Sequence, residues 1–216
     1  MAKINSNSNA YIIGYSCIMV VIVAFLLAFV SSALKPQQDA NVKLDKKKQV
    51  LAALNIRGLS DAEAEAKYDE VVKDGDKAFE MNSASFKSGD LAVYQCEVDG
   101  EKKYVVSVYG AGLWGPIWGY IAVNADGNTV YGAYFNHEGE TAGLGAEIKD
   151  SKAWQDLFVG KKIYNADGTV ALKVLKASEI KNPESEVDAV TGATLTSVGV
   201  SDMLQEGFAK YKDLLK

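Results

Sequence analysis

The sequence predicts an α+β protein in which a single N-terminal transmembrane helix precedes a domain with a mostly antiparallel sheet and flanking helices. Three observations carry this prediction. They are a long uncharged apolar run near the N-terminus, strand-like segments paired across Asp-Gly turns, and an amphipathic helix at the C-terminus. Helices that are separated along the chain from a run of antiparallel strands are typical of this class.

Length and composition fit one folded domain with an appendage. The chain has 216 residues, of which 48% are hydrophobic and 24% charged, as in globular proteins rather than disordered ones. The formal net charge is -5, and the apolar run contributes almost none of it. A mildly acidic domain argues against nucleic acid as a partner, because phosphate binding needs a basic face.

The apolar run covers residues 10–34 and carries no charge. A helix needs about 20 apolar residues to cross a bilayer, and the apolar core of a signal peptide is shorter than this run. We therefore expect an uncleaved membrane anchor. The predicted organisation is a short tail (1–9), the transmembrane helix (10–34), a helical linker region (35–80) and a folded domain (81–216).

The side of the membrane on which the domain lies is left open by the charges. Lys3 precedes the helix, whereas Lys35 and a cluster of lysines between 43 and 48 follow it. The positive-inside rule applied to these counts favours the cytoplasm, but long domains translocate largely regardless of charge.

The linker region has a helical spacing of apolar residues from Val42 to Ile56, and Gly58 is expected to end this helix. Ser60 and Glu63 have the spacing of a capping box, which predicts a second helix from Asp61 towards Phe79. The chain then changes to the two-residue period of strands.

Three hairpins are predicted. The segments LAVYQCEV and KKYVVSVYG flank Asp99-Gly100, a type I′ turn signal. IWGYIAVN and TVYGAYFN flank a turn at residues 125–128, and KKIYN and TVALKVLK flank Asp167-Gly168. Between the second and third hairpins, DSKAWQDLFVG is typical of a short helix ended by Gly160.

The last segment predicts an amphipathic helix with one apolar face. The residues of this face are Val200, Met203, Leu204, Phe208, Tyr211, Leu214 and Leu215.

The segment DAVTGATLTS (188–197), just before this helix, is the first candidate site. Gly192 allows close approach of a bulky group to the backbone. Thr196 or Ser197 could cap the helix, whose free amides favour a phosphate. The plain alternative is a capped helix entry with no ligand.

Two glycine-rich segments are further candidates. HEGETAGLG (137–145) has three glycines in a short loop, which indicates unusual backbone angles or a close ligand. GAGLWGPIWG (110–119) places two tryptophans among glycines, as a platform for an aromatic ring or as a tight turn with both indoles in the core.

Hydrolysis and direct nicotinamide binding lack support, because no Ser-His-Asp order, HExxH motif or Rossmann fingerprint occurs. His137 is the only histidine, and Cys17 and Cys96 have no metal-site spacing. We interpret both cysteines as small hydrophobic residues and predict no catalytic residue and no metal site.

Together the three segments resemble a known family. DAVTGATLTS is similar to the motif for covalent FMN attachment, Asp-x-x-Ser/Thr-Gly-Ala-Thr. Nearly the whole chain lines up, with GAGLWGPIWGYIAV and HEGETAGLGAEI in order. The chain thus resembles the covalent-FMN subunits of the Na+-translocating NADH:quinone oxidoreductases. One departure is Ala142, where the family usually has proline.

The resemblance implies a covalent FMN-binding domain and an electron-transfer role. A flavin transferase would move FMN from FAD onto Thr194 as a phosphoester, and the domain would lie on the periplasmic side of the cell inner membrane. The partners would be the other subunits of a complex that oxidises NADH, reduces ubiquinone and pumps Na+ outward. An electron relay needs no general base of its own, because the cofactor does the redox work.

We expect Gly192 and the helix N-terminus to receive the phosphate, and the loop 143–145 with Leu113 and Trp114 to pack on the ring. The implied cofactor-binding residues are Thr194, Thr191, Gly192, Ala193, Thr196, Leu113, Trp114, Glu140, Thr141, Gly143, Leu144 and Gly145.

Two alternatives stay open. One is the equivalent flavoprotein subunit of the Rnf ferredoxin:NAD+ complex, which would use the same Thr194 with a different electron donor. The other is a membrane-anchored scaffold domain with no cofactor, which would be colourless.

Overall fold

The computed structural model describes residues 8–75 and 93–215, and the last residues of the predicted second helix lie outside this part. The chain forms two compact units, Met1–Lys43 and Leu44–Lys216. The expected α+β class is confirmed, since an apolar N-terminal helix is followed by an antiparallel sheet with flanking helices.

Helix α1 (Asn9–Ala53) contains the predicted membrane span. Among the described residues it is the one helix that is both long and apolar enough to cross a bilayer, and its most apolar stretch has no side chain buried against the rest of the protein. Pro36 lies within the helix.

The C-terminal end of α1 belongs to the second unit. Its last turns bury Val50, Leu51 and Ala53. The helix ends at Ala53 and not, as predicted, at Gly58. Asn55 adopts φ 62°, and the amides of Ile56 and Asn55 donate to the carbonyls of Leu51 and Ala52 at 2.9 and 3.1 Å. This is a Schellman motif in which asparagine takes the left-handed position that glycine usually occupies.

Helix α2 (Asp61–Val71) begins where it was predicted. The Glu63 carboxylate accepts hydrogen bonds from the Ser60 backbone N–H at 2.9 Å and from its hydroxyl at 2.7 Å. The helix ends at Val71, earlier than expected, because Val72 turns to an extended conformation and forms a bridge with Cys96.

The sheet has four antiparallel strands in sequential order: β1 (Val93–Val98), β2 (Glu101–Ala111), β3 (Pro116–Asn124) and β4 (Val130–His137). The first two predicted hairpins are therefore confirmed. Asp99 and Gly100 both have positive φ, 53° and 78°, as a type I′ turn requires.

Both faces of this sheet are covered. On one face the N-terminal core joins α1 and α2 to residues such as Tyr94, Val105 and Tyr120. On the other face the C-terminal core joins Val106, Ile121 and their neighbours to the last helix. The region predicted as a linker from residue 35 to 80 therefore contributes one wall of the folded unit from Leu44 onwards, because its apolar residues pack on the sheet.

The third predicted hairpin does not form as two strands. Tyr164 and Val170 make a single antiparallel bridge, and the short strand β5 (Lys173–Leu175) instead pairs in parallel with β6 (Glu186–Asp188). A 3₁₀ turn at Ala177–Glu179 lies between them. The turn at Asp167-Gly168 forms, with Gly168 at φ 78°, but the segment after it pairs with β6 and not with the segment before the turn.

Two short helices, α3 (Glu147–Asp150) and α4 (Lys152–Asp156), follow β4. They place Trp154 in an aromatic cluster with Phe135 and Phe158, with ring centroids 5.4 and 5.1 Å away. The single helix predicted here is thus divided at Ser151, and it ends at Asp156 and not, as predicted, at Gly160, which has φ 79°.

Helix α5 (Thr194–Tyr211) is the predicted amphipathic helix. It buries Val200, Met203, Leu204, Phe208 and Tyr211 in the C-terminal core. Leu214 and Leu215 lie beyond the helix end, and only Leu215 is buried.

Both cysteines are free. Cys96 is buried in the N-terminal core, and burial raises the pKa of its thiol to about 12. It is therefore an inert core residue, as the sequence indicated.

Candidate functional site

The N-terminus of α5 presents Thr194 at the surface. Thr194 is the first residue of the helix and is exposed. The preceding residue, Ala193, provides no side-chain cap. The first amides of a helix have no partner inside the helix, so this end offers both a hydroxyl and free N–H donors. Such an end favours an anion.

Neither Thr196 nor Ser197 caps this helix, contrary to one expectation. Both lie inside α5, and both are buried. The Ser197 hydroxyl accepts a hydrogen bond from the Val190 N–H at 3.1 Å, which ties the entry loop to the first turn. Ala193 N–H donates to the Val190 carbonyl at 3.1 Å.

The entry loop is also held at its start. The indole Nε1–H of Trp154 donates to the Asp188 carbonyl at 2.8 Å. Two buried side chains, Trp154 and Ser197, thus hold the first half of the loop at Asp188 and Val190. Within it Gly192 has φ 79°, a conformation that glycine adopts without strain.

Gly192 brings the glycine-rich loop after β4 against the α5 entry. A Cβ atom added at Gly192 would lie 3.0 Å from Leu144 Cδ2. The loop itself turns at Thr141–Leu144, where the Leu144 N–H donates to the Thr141 carbonyl at 3.1 Å. Gly143 at the third turn position has φ 74°, as a type II turn requires.

Ala142 occupies the second position of this turn, which favours proline. Its side chain is exposed. We expect Ala142→Pro to raise the free energy of unfolding by about 0.4–1 kcal/mol, because proline restricts the unfolded chain. Chemical denaturation of the wild type and the variant measures this. A destabilised variant would show that the backbone at 142 is incompatible with proline.

Glu140 joins the three predicted segments. Its Oε1 accepts from the Trp114 backbone N–H at 2.9 Å, and its Oε2 accepts from the Thr196 hydroxyl at 2.5 Å. Its own N–H donates to His137 Nδ1 at 3.1 Å, so the only histidine supports this loop. Glu140 and Thr196 are 7% and 1% exposed, and they lie beneath the surface that Thr194 occupies.

The 112–115 turn supplies two exposed apolar side chains. The Gly112 N–H donates to the Gly115 carbonyl at 2.8 Å. Trp114 is 69% exposed, and Leu113 is also exposed. The two tryptophans of this segment separate, because the Trp118 indole lies on the other face and donates to Gln49 at 2.9 Å.

Two further exposed apolar residues, Leu195 and Val198, were not singled out from the sequence. They lie on the first turns of α5, and Leu195 is 60% exposed. Both positions fall outside the apolar stripe of α5 that packs on the sheet. An apolar residue outside this stripe is the sequence signal that could have indicated them. With Leu113, Trp114 and Leu144 they form what we call the apolar rim.

The three segments meet in space through short contacts. A Cβ at Gly199 of α5 would lie 2.3 Å from the Ala111 carbonyl oxygen, so the helix rests directly on the 111–112 backbone. The site therefore combines an exposed hydroxyl, free amides at a helix end and an apolar rim.

These features fit FMN. A threonine hydroxyl can carry a phosphoester, helix amides can receive phosphate oxygens, and aromatic and aliphatic side chains can contact a flat ring. Among residues 8–75 and 93–215 no cluster of histidine, cysteine or acidic side chains could hold a metal ion.

Comparison with known proteins agrees with this fit. The family described as FMN-binding domain matches residues 112–209, which include the whole of the 137–145 and 188–197 segments and all but the first two residues of the 110–119 segment. The fold and the site thus define an FMN-binding domain preceded by an apolar helix.

Relatives of full length make the assignment specific. The C subunit of the Na(+)-translocating NADH-quinone reductase of Haemophilus ducreyi is 32% identical over 96% of this chain and 93% of its own. Its counterpart from Pseudomonas aeruginosa is 31% identical over 93% and 91%. The crystal structure of the C subunit from Parabacteroides distasonis matches with a TM-score of 0.76 and 36% identity, over 85% of this chain and 97% of that one.

The chain belongs to the family formed by the C subunits of the Na+-translocating NADH-quinone reductases. The resemblance drawn from the sequence motifs is thereby confirmed. All three relatives carry the name of the sodium-translocating enzyme, which favours it over the Rnf alternative.

Proposed function

We propose that this chain is the FMN-carrying electron-transfer subunit of a membrane complex that oxidises NADH, reduces quinone and pumps Na+ outward. The FMN is attached through its phosphate to Thr194 by a flavin transferase. The observation that carries the proposal is the exposed Thr194 hydroxyl at the uncapped N-terminus of an 18-residue helix.

The residues around Thr194 would divide the binding between them. The free amides of the first turn of α5 face the phosphate, and Gly192 keeps the approach to the backbone open. The apolar rim contacts the ring and limits water access to it. When bound, FMN supplies the redox chemistry, so the chain contributes attachment, orientation and exclusion of water.

The remaining proposed roles concern the membrane and the partners. Helix α1 anchors the chain in the cell inner membrane, with the folded unit on the periplasmic side. Protease added outside spheroplasts should then degrade this unit, whereas protection would place it in the cytoplasm. The apolar span of α1 carries no charge and offers no path for Na+, so the other subunits would conduct the ion.

Attachment is tested on the full-length chain co-expressed with a flavin transferase. After complete denaturation and electrophoresis, we expect a flavin-fluorescent band at the position of this chain. The same chain expressed without the transferase is the control and should be dark. A dark band in both samples would contradict the proposed attachment and favour a scaffold with no cofactor.

The type of complex is tested in membranes that lack only this chain. We expect loss of Na+-stimulated quinone reduction by NADH, with recovery when the chain is restored. Loss of ferredoxin-dependent NAD+ reduction instead would assign the chain to the Rnf complex, which is the alternative that the sequence left open.

A further inference from the structure

Glu140 is a buried acid at the junction of the three segments that build the site. Each carboxylate oxygen has its own donor: the Trp114 N–H for Oε1 and the Thr196 hydroxyl for Oε2. An ionised carboxylate only accepts hydrogen bonds, and both oxygens of Glu140 are acceptors here. The partners lie 26 residues before and 56 residues after Glu140 in the chain.

The space around the carboxylate excludes any side chain larger than hydrogen at two positions. A Cβ at Gly112 would lie 2.5 Å from Oε1, and a Cβ at Gly145 would lie 2.4 Å from Oε2 and 2.6 Å from the Thr196 hydroxyl oxygen. Real Cβ atoms do not approach other atoms so closely. The two glycines thus form a cradle that fits this carboxylate and leaves it little freedom.

The Glu140 carboxylate links the 112–115 turn to the first turn of α5, and these two parts carry exposed residues of the site. Trp114, with its exposed indole, is fixed through its backbone by Oε1. Thr196 lies two residues after Thr194 in the first turn of α5, and Oε2 fixes it. One side chain therefore ties the Trp114 backbone to the first turn of α5, which carries Thr194.

We propose that Glu140 is a positioning residue for the flavin at Thr194 and that its charge tunes the potential of that flavin. This inference rests on the proposed function. Glu140 holds the 112–114 turn against the first turn of α5. Its negative charge beneath the site opposes the addition of electrons to a group above it, because charges in a partly dry interior are weakly screened.

Substitutions at Glu140 and at Thr196 separate the positioning role of Glu140 from the effect of its charge. Glu140→Gln has nearly the same shape, keeps an oxygen acceptor for the Trp114 N–H and removes the charge. Thr196→Val keeps the shape of threonine but removes the hydroxyl donor, and Thr196→Ser, which restores a hydroxyl, is its matched control.

The position is measured on the full-length chain without flavin, in detergent, by hydrogen exchange of the Trp114 amide. We expect slow exchange in the wild type and at least tenfold faster exchange in Glu140→Ala. A cooperative thermal transition of Glu140→Ala is the control that this variant still folds. Glu140→Gln should stay close to the wild type. Equal exchange in the wild type and Glu140→Ala would overturn the positioning role.

The charge is measured by redox titration of the attached flavin. We expect the midpoint potential of Glu140→Gln to shift to a more positive value. We expect Thr196→Val to incorporate less flavin than Thr196→Ser. An unchanged potential in fully flavinylated Glu140→Gln would overturn the tuning role while leaving the attachment at Thr194 intact. Absence of covalent flavin in the wild type would overturn both.

Discussion

Replacing Thr194 by alanine is expected to abolish covalent flavin while leaving the protein folded. The phosphoester needs the hydroxyl oxygen, and alanine has none. The Thr194 side chain is exposed, and exposed substitutions of this kind change the free energy of unfolding by only about ±0.5 kcal/mol. In-gel flavin fluorescence of the denatured variant, co-expressed with the transferase, should therefore be lost completely.

Thr194→Ser is the matched control, because it keeps a hydroxyl on the same backbone position. We expect this variant to carry covalent flavin, although serine is less restricted at χ1 than threonine. Two results would contradict the prediction. One is fluorescence of Thr194→Ala at the wild-type level, and the other is a dark Thr194→Ala that has also lost its cooperative thermal transition.

Gly145→Ala is expected to destabilise the folded unit and to lower flavin incorporation. The added methyl group would overlap the Glu140 carboxylate at 2.4 Å and the Thr196 hydroxyl at 2.6 Å. Relief of this overlap must separate a buried acid from its donor. Overpacking costs about 1–3 kcal/mol, and an unsatisfied buried polar group costs about 1–3 kcal/mol. Chemical denaturation should show a loss in the range of about 2–6 kcal/mol, the sum of these two costs.

Gly115→Ala is the control for this prediction. A Cβ at Gly115 would make only ordinary contacts, the nearest at 3.7 Å to the Gly139 nitrogen. Gly115 is not among the glycines with positive φ. We expect a change below about 1 kcal/mol. Equal losses in Gly145→Ala and Gly115→Ala would show that the cradle around Glu140 is not tight.

Local signals predicted most of the fold. The Asp99-Gly100 turn, the second hairpin, the start of α2 and the buried face of α5 all follow from residues close to one another in the chain. The prediction of a third hairpin was wrong because β5 pairs with β6 instead, and this part of the chain packs in the C-terminal core. Similarly, the end of α1 depends on Asn55 in a left-handed conformation, where glycine was expected.

The site was only partly predictable from the sequence. Glycine patterns and the motif resemblance indicated the three segments, and the structure brings them together. The bond between Glu140 and Thr196 spans 56 positions, and no local pattern encodes such a pairing. Leu195 and Val198 did not follow from the sequence, because the apolar period of a helix identifies its buried face, whereas these two residues are exposed.

The exposure of Thr194 has a consequence for biogenesis. The Thr194 hydroxyl stands at the surface, whereas both cores of the folded unit are filled by buried protein side chains. Under the proposed attachment at Thr194, folding would not have to wait for the flavin, and maturation would take place on the folded protein. The supply of FAD would then set the ratio of mature to immature protein without a change in the rate of its synthesis.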